Sequence, residues 1–423
     1  MNPRELLLNS FQAALAAADP LQIVPAHLPS PPKGRTLVVG AGKAAAAMAQ
    51  AVEMHWPLDA PLEGRVITRY GHSVPTRKIE VVEAGHPLPD QHGELATRAI
   101  LEKVQALTAD DLLLGLFSGG GSSLLSMPIA GVSMEELKTI THQLLLCGAS
   151  IQEINTVRKH LSAVLGGRLA AACHAPIHCL IISDVTGDNP THVASGPCAP
   201  DPTTYADTLA LIKQYAINVA PSVMTILQKR SEHDEDETPK PGNAVFRNVK
   251  NRVIATAHQS LAAATQFFRA HHITPLILGD TVTGEAREVA KVYAALAREI
   301  RYYNAPFKSP VALISGGETT VTVKGRGRGG RNTEFLLSLA IALNGLEDIY
   351  ALACDTDGID GTEQNAGAIL TPDSLARAQP LSLDPTALLN DNDAYAFFER
   401  LDDLIITGPT RTNVNDYRVI LVW

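Results

Sequence analysis

Short apolar runs that alternate with helical patterns most constrain what this chain can fold into. Each run is bounded by glycine or aspartate, which is typical of a strand that ends at a turn. The predicted strands are Thr36 to Val39, Arg65 to Thr68, Leu112 to Phe117, Cys179 to Ile182, Val253 to Ala255, Pro275 to Leu278, Val311 to Ile314, Tyr350 to Ala353, Leu404 to Ile406 and Val419 to Val422. The predicted helices are Ala44 to Met54, Glu94 to Leu107, Met134 to Leu146, Tyr205 to Tyr215, Gln259 to Arg269, Gly284 to Tyr302 and Thr333 to Leu343. This alternation predicts an α/β fold whose sheets are covered by helices on both faces.

Residues Lys229 to Gly242 interrupt the alternation, because five acidic residues and two prolines follow one another there without apolar periodicity. The segment predicts an exposed loop between lobes or a surface excursion within one domain. Weak similarity between Leu116 to Gly120 and Leu313 to Gly317 favours related lobes. We therefore expect two Rossmann-like α/β lobes with parallel or mixed sheets and an interlobe cleft, divided into residues 1–242 and 243–423.

The charge balance excludes two classes of partner. The chain has 423 residues, of which 35 are Lys or Arg and 44 are Asp or Glu, so its formal net charge is −9. It has no block of basic residues, and we expect neither nucleic acid nor a membrane surface as a partner. Small anionic ligands remain possible where local basic groups hold them.

The cysteines and the apolar segments indicate a compartment. The five cysteines are scattered without a C-x-x-C pair, which fits neither a disulfide framework nor a zinc site and favours the reducing cytoplasm. Residues Met1 to Asp19 have the pattern of an amphipathic helix and lack the basic and apolar regions of a signal peptide. No apolar run is long enough to span a bilayer.

The first candidate site is a glycine turn between a strand and an alanine-rich helix. Gly40, Gly42 and Ala45 satisfy the G-x-G-x-x-A pattern of dinucleotide sites, and such a helix start offers free N–H groups to an anion. Lys43 beside the glycines can neutralise phosphate charge. However, Thr68 to Gly71 replace the acidic residue expected at the end of the second strand, although Arg69 there could suit NADP. The turn predicts a dinucleotide site, another phosphate site or a plain tight turn.

Two further glycine-rich loops directly follow apolar strands. Their glycines let the backbone approach a ligand, although each could also be a simple strand-to-helix turn. The first loop lacks the G-x-S-x-G pattern of serine hydrolases, because Leu116 stands in place of the first glycine. The candidate ligand-binding residues of these loops are Ser118, Gly119, Gly120, Gly121, Ser122, Gly316, Gly317 and Glu318.

A loop rich in glycine and arginine, Lys324 to Asn332, leads into a long predicted helix. Arginine at a helix start favours anion binding. An RNA-binding segment of this composition is usually long and disordered, whereas this loop is short and embedded. The candidate anion-binding residues are Arg326, Gly329, Gly330, Arg331 and Asn332.

Aspartates follow two predicted strands. Asp184 and Asp188 lie after Cys179 to Ile182, where carboxylates suit Mg²⁺, although an Asx-turn is the alternative. Asp355 and Asp360 follow Tyr350 to Ala353 and suit a metal or general-base site.

Arg158 and Lys159 place adjacent cations on another predicted helix. They could bind a substrate carboxylate or cover a solvated face. Several anion-binding loops together with acidic groups at strand ends are what a phosphoryl transferase needs.

An ordered series of motifs carries a family resemblance. It comprises VVGAGKA, GHPLPD, SGGGSS, NTVRKHLS, SDVTGD, SGP (Ser195 to Pro197), DPT (Asp201 to Thr203), SGGET, GRGGRN, DTDGIDG and TGPTRTNVND. The chain resembles the class II glycerate kinases over nearly its whole length. The resemblance implies an N-terminal glycerate-kinase domain, a C-terminal MOFRL-type domain, and transfer of the γ-phosphate of ATP to D-glycerate, giving 2-phosphoglycerate with Mg²⁺. Many members carry the older name hydroxypyruvate reductase, so an NAD(P)H-dependent reductase is the alternative.

The resemblance also implies roles for individual residues. Lys43 and Arg331 match the principal catalytic cations, Asp184 matches a metal or base carboxylate, and Asp355 or Asp360 supplies the second acidic group. ATP and Mg²⁺ are then the expected cofactors. Our own mechanistic hypothesis is that the glycine-rich loops bind the nucleotide and that Arg158 or Lys159 pairs with the carboxylate of glycerate. We expect a cytoplasmic monomer or homodimer.

Overall fold

A computed structural model describes residues 2–423 and divides the chain into two compact units. The N-terminal unit is Pro20–Ile254. The C-terminal unit is Ala255–Trp423 together with residues 2–19. Among the described residues, no helix is both long and apolar enough to cross a membrane.

The N-terminal unit is built on a six-stranded sheet with the order β3-β2-β1-β4-β5-β6. Its strands are β1 (Thr36–Ala41), β2 (Leu62–Arg69), β3 (Ile79–Ala84), β4 (Leu112–Phe117), β5 (Ile177–Ile182) and β6 (Val249–Ala255). The pairings from β3 to β5 are parallel. Every residue of β1 and β4 is buried, as expected for continuous apolar strands at the centre of a parallel sheet.

Helices cover this sheet and extend beyond it. They are α2 (Pro20–Ile23), α3 (Ala45–His55), α4 (Gln91–Gln105), α5 (Gly121–Leu124), α6 (Met134–Leu146), α7 (Ile151–Leu161), α8 (Arg168–Ala171), α9 (Tyr205–Gln214) and α10 (Pro221–Ser231). Capping side chains fix several starts: Ser133 and Ser150 form capping boxes at α6 and α7, and Asp90 accepts from the Gly93 amide at α4.

The C-terminal unit holds a second six-stranded sheet, with the order β11-β10-β9-β12-β8-β7. Its strands are β7 (Thr274–Val282), β8 (Val311–Gly317), β9 (Ile349–Asp355), β10 (Gly367–Leu370), β11 (Leu404–Ile405) and β12 (Asp416–Val422). β7 and β8 are parallel, but β12 runs antiparallel to both of its neighbours. The expected α/β class with parallel or mixed sheets is confirmed, and this sheet is the mixed one.

The helices of the C-terminal unit include one from the start of the chain. They are α1 (Pro3–Ala16), α11 (Ala257–Ala270), α12 (Ala286–Tyr303), α13 (Arg331–Leu343), α14 (Ser374–Ala378), α15 (Pro385–Asn390) and α16 (Ala394–Arg400). α1 is the helix predicted within Met1 to Asp19, of which Met1 lies outside the described residues. Its Leu7 and Phe11 are buried in one apolar cluster with Phe268 and Tyr417.

The unit boundary differs from the predicted division after residue 242. β6 is a strand of the first sheet, next to β5, so the N-terminal unit continues to Ile254. The apolar face of α1 is buried against the C-terminal unit, which takes the first residues out of the N-terminal one. The acidic composition of a loop indicates only that the loop is exposed. The boundary between the units is set by which strands pair and which residues are buried together.

The acidic segment belongs to the N-terminal unit. Glu237 Oε1 accepts from the Tyr205 amide at 2.9 Å, and its Oε2 lies 3.0 Å from Lys240 Nζ and 3.3 Å from His160 Nε2. The neighbouring Thr238 is buried and donates to Asp201. The segment is therefore a surface excursion within one unit, the alternative that the sequence left open.

Glu237 is expected to make stability depend on acid pH. Burial raises the pKa of its carboxyl, but hydrogen bonds from His160, the Tyr205 amide and Lys240 outweigh this and lower it to about 2 from 4.5. Because the folded-state pKa is depressed, the stabilisation is complete above about pH 4.5 and is lost as pH falls toward 2. We expect Glu237→Gln to reduce the slope of unfolding free energy against pH in this window, measured by urea unfolding. An identical slope in both proteins would contradict it.

Candidate active site

The glycine turn after β1 is closed against the loop after β4. The amides of Gly42, Lys43 and Ala44 donate to Ile67 O, Gly119 O and Ser118 Oγ at 3.1, 2.9 and 3.0 Å. The N–H groups that the sequence analysis expected to be free are therefore already used, because neighbouring backbone and a serine satisfy them. This removes the main physical support for a dinucleotide at this turn.

Close approach explains the glycines of this turn. A Cβ on Gly40 would lie 2.3 Å from Leu116 O of the neighbouring strand. One on Gly42 would lie 2.6 Å from Ser118 O, and its φ of +136° also favours glycine. Packing requires both residues whether or not a nucleotide binds beside them.

The loop Ser118 to Ser122 brings several polar groups close to Lys43. Gly120 has a φ of +80°, and a Cβ there would lie 2.9 Å from the His86 ring and 3.6 Å from Lys43 Cγ. A Cβ on Gly121 would lie 2.5 Å from Ala194 Cβ. The structure thus brings Gly40, Gly42, Lys43 and the loop Ser118 to Ser122 together.

Ser122 is held by a residue with unusual backbone geometry. Its Oγ lies 2.8 Å from Ser195 Oγ. Ala194 and Ser195 have φ values of +49° and +54°, a conformation that costs non-glycine residues free energy and often occurs at functional sites. The Ser195 hydroxyl therefore fixes the direction of the Ser122 hydroxyl.

In the C-terminal unit, Arg331 lies among three carboxylates. Its Nε lies 2.9 Å from Asp416 Oδ1, its Nη2 lies 2.8 Å from Asp355 Oδ2, and its Nη1 lies 3.0 Å from Glu318 Oε1. We call these four residues the Arg331 cluster. Burial lowers the pKa of Arg331, but Asp416, Asp355 and Glu318 outweigh it and raise the pKa well above its usual value.

The partners of Arg331 differ in exposure. The side chain of Asp416 is 0% exposed and that of Asp355 is 7% exposed, whereas that of Glu318 is 58% exposed. Buried partners therefore hold two sides of the guanidinium in place. Its third contact lies at the surface, where solvent weakens the ion pair and an incoming anion could replace it.

Asp360 closes the start of α13. Its carboxylate accepts from the amides of Asn332 and Thr333 at 2.9 and 2.8 Å, and from Thr333 Oγ1 at 2.8 Å. Burial raises the pKa of Asp360, although these hydrogen bonds oppose the increase. The helix-start amides are therefore occupied by this carboxylate. Of the two candidate acids, Asp355 is the one that contacts Arg331.

The glycine- and arginine-rich loop is docked on the segment before α16. The amides of Lys324 and Gly325 donate to Asn392 Oδ1 at 2.8 and 3.0 Å, and that of Arg326 donates to Asp391 Oδ1 at 3.0 Å. A Cβ on Gly325 would lie 2.2 Å from Asp391 O. This part of the loop is therefore packed against its own unit, with its amides satisfied.

The aspartates after β5 do not form a preassembled metal cage. Asp184 and Asp188 follow the strand in a turn, and Asp188 has a φ of +53°. Within residues 2–423, no group of three or more His, Cys, Asp or Glu side chains is arranged to hold a metal ion. Mg²⁺ commonly takes one or two carboxylates and completes its shell with phosphate oxygens and water, so this donor set fits a site completed by substrate.

The structure separates the two cations of α7. Lys159 is 1% exposed, and its Nζ lies 3.2 Å from Asp201 Oδ1 and 3.3 Å from Thr191 Oγ1. Arg158 instead lines a pocket with serine and threonine side chains. Lys159 is committed to a buried ion pair, which leaves Arg158 as the cation available to a ligand.

Comparison with known proteins shows which family shares this architecture. The sequence model of the family described as "Domain of unknown function (DUF4147)" matches residues 6–228, and the sequence model of the MOFRL family matches residues 311–416. A D-glycerate 2-kinase of Thermotoga maritima is 40% identical over 99% of this chain and 98% of its own length. The chain belongs to the glycerate kinases of the MOFRL family.

Two further matches to the MOFRL glycerate kinases are a solved structure and a relative that carries a different name. The crystal structure of a Thermotoga maritima glycerate kinase covers 99% of both chains at 38% identity, with a TM-score of 0.87. An Agrobacterium vitis protein that carries the provisional name hydroxypyruvate reductase is 48% identical and covers 100% of this chain and 95% of its own. The resemblance seen in the motifs is confirmed, and the older name persists among close relatives.

Several residues near the candidate sites of this MOFRL glycerate kinase are absent from the set predicted from the sequence. Asp416 and Arg418 alternate with apolar residues along the buried strand β12, and Arg418 contacts both Asp416 and Thr319. Charges at alternate positions of an otherwise apolar strand were a usable signal, because buried charges are rarely placed without a partner. His86 and Ser195 lie in the motifs GHPLPD and SGP, but only the fold shows that His86 lies beside Gly120 and that Ser195 contacts Ser122.

Proposed function

We propose that this protein phosphorylates D-glycerate with ATP and forms 2-phosphoglycerate. The observation that carries the proposal is the similarity to a D-glycerate 2-kinase over 99% of this chain. The geometry agrees with it, since both units hold cations beside glycine-rich loops. The glycines at Gly40 and Gly42 have packing reasons, so nothing in the turn favours a reductase.

Charge neutralisation is the contribution expected of Arg331. Phosphoryl transfer depends mainly on positioning and on cations that stabilise charge on the transferring group. Buried Asp416 and Asp355 hold the guanidinium in one orientation, so little reorganisation is needed when phosphate arrives. In this proposal a phosphate oxygen replaces Glu318 at Nη1. Within the N-terminal unit, Lys43 is proposed to neutralise anionic charge beside the loop Ser118 to Ser122.

Within each unit, the loop residues are proposed to bind phosphate groups at their accessible atoms. In the N-terminal unit these are Ser118 to Ser122, and in the C-terminal unit Gly316, Gly317, Arg326 and the helix start at Gly329 to Asn332. Because many amides in these loops already have partners, side chains and the remaining amides supply the contacts.

Magnesium is proposed to bind at Asp184 with Asp188. These carboxylates lie at the carboxyl end of a buried parallel strand, a usual place for such a ligand pair. The ion would neutralise charge on the phosphate oxygens that complete its shell.

One set of assays separates the possible functions. The purified protein is incubated with D-glycerate, ATP and Mg²⁺, and separately with hydroxypyruvate and NADPH. We expect ADP together with a product consumed by an enzyme specific for 2-phosphoglycerate, and no oxidation of NADPH. Oxidation of NADPH without ADP would replace the proposal with a reductase, and inactivity in both assays would favour a binding protein.

A further inference from the structure

A small pocket inside the N-terminal unit combines one arginine with several hydroxyl groups. Arg158 on α7 lines it together with Ser122, Ser126, Thr141 and Ser162. Leu137 and Leu165 supply apolar wall. Hydrogen-bond donors around one arginine in a partly apolar pocket are the chemistry that recognises a small oxyanion.

Ser122 and Ser162 have hydrogen-bond partners within the protein, but in the part of the chain that the structure describes three other polar groups of this pocket do not. Among residues 2–423, no carboxylate lies within 4.0 Å of the Arg158 guanidinium, and neither Ser126 nor Thr141 has a hydrogen bond from its hydroxyl. Burial lowers the pKa of Arg158 to about 10. Arg158 is half-buried. A partly desolvated charge without a protein partner is costly, so an anionic ligand would offset a cost that the fold leaves in place.

The neighbouring cation provides an internal contrast. Lys159 is fully buried whereas Arg158 is half-buried, but Asp201 neutralises Lys159 and Thr191 accepts a hydrogen bond from it. Two adjacent residues of one helix therefore differ in the property that matters for ligand binding. Of these two cations, Arg158 is the one that lines a pocket and has no carboxylate partner.

The size of the pocket limits the ligand. Its inner part has room for about one water molecule. A carboxylate can replace such water and receive two hydrogen bonds from one guanidinium. A triphosphate is too large for this space.

We propose that Arg158, with the hydroxyls of Ser126 and Thr141, binds the carboxylate of D-glycerate. The inference rests on the proposed kinase function and decides between the adjacent cations. It makes Arg158 the specificity-determining residue that distinguishes a small hydroxy acid from a neutral polyol such as glycerol.

Steady-state kinetics of Arg158→Gln tests the proposal. We expect KM for D-glycerate to rise about 10- to 100-fold, because a charge-assisted hydrogen-bond pair is lost. KM for ATP should stay within about twofold, and kcat/KM for glycerol should not change, because glycerol has no carboxylate. Arg158→Lys should recover part of the affinity for glycerate, since it restores the charge without the bidentate geometry.

Two further variants distinguish loss of the pocket contacts from misfolding and from a general effect of removing an arginine. Thr141→Val keeps the shape of a buried side chain and should raise KM for D-glycerate a few-fold without changing KM for ATP. Arg98→Gln removes an exposed arginine paired with Glu94 and should leave all constants unchanged. Circular dichroism and thermal melting establish that each variant is folded.

The outcomes separate this inference from the function itself. Unchanged KM for glycerate in folded Arg158→Gln overturns the pocket assignment, as does a rise in KM for ATP alone. If the wild-type protein forms no ADP from glycerate, the kinase proposal fails instead. Calorimetric titration of D-glycerate into wild type and Arg158→Gln then decides the pocket, with weaker binding by the variant supporting it and equal binding overturning it.

Discussion

Replacement of Arg331 with alanine is expected to lower kcat for glycerate phosphorylation about 100-fold or more. Removing one preorganised group that stabilises transition-state charge commonly has an effect of this size. The guanidinium is preorganised by buried Asp416 and Asp355, and water in the vacated space cannot reproduce its charge or direction. The coupled ADP assay measures the effect at saturating ATP and D-glycerate.

The same substitution is expected to lower stability, and this must be measured separately. In Arg331→Ala, Asp416 still contacts Arg418 and Asn332, whereas Asp355 loses its ion pair with the arginine. Loss of one partner of a buried ion pair costs about 3 kcal/mol of unfolding free energy. Arg331→Lys keeps the charge and should be more stable than Arg331→Ala while remaining slow. Arg301→Ala removes a partly exposed arginine paired with Asp348 and serves as the control. A folded Arg331→Ala protein with near-normal kcat would exclude Arg331 from catalysis.

Replacement of Lys159 with methionine is expected to destabilise the N-terminal unit by about 3–5 kcal/mol. Lys159 and Asp201 are both fully buried, and the change leaves Asp201 as an unneutralised charge. Thr203 and Thr238 still donate to Asp201, which places the cost toward the lower end. Urea unfolding followed by circular dichroism gives the difference.

A double variant identifies the origin of that loss. Lys159→Met combined with Asp201→Asn removes both charges and should recover part of the stability lost in Lys159→Met alone. If Lys159→Met has wild-type stability but a much higher KM for D-glycerate, Lys159 would be a substrate ligand and the buried-pair interpretation would be wrong.

The sequence was a good guide to the individual strands and a poor guide to their arrangement. All ten predicted apolar runs fall in or overlap strands, because short buried strands are nearly continuous apolar segments. β3 escaped notice because its partly exposed residues include Glu80 and Glu83. β12 lies antiparallel between β8 and β9. The local sequence pattern predicts a strand there, but it does not encode which strands β12 pairs with or in which direction.

At the candidate site, residue type was more predictable than residue role. Glycine at Gly40 and Gly325 indicates that something approaches the backbone, but only the fold shows that it is Leu116 or Asp391 of the same unit. Likewise, adjacent Arg158 and Lys159 are equivalent in the sequence. Their difference arises from Asp201, which is distant in the chain and close in space.

The position of α1 has a consequence for how the protein is made. Its apolar face completes a cluster that includes Tyr417 and Val419 of β12, so the helix leaves the ribosome long before its partners exist. At about 5–20 residues per second, translation of the intervening roughly 400 residues takes roughly 20–80 s. During that interval Pro20–Ile254 can complete its own sheet, whereas the second unit cannot finish its core. Leu7 and Phe11 can therefore pack against Phe268 of α11 during elongation, but their cover is complete only after β12 has been translated.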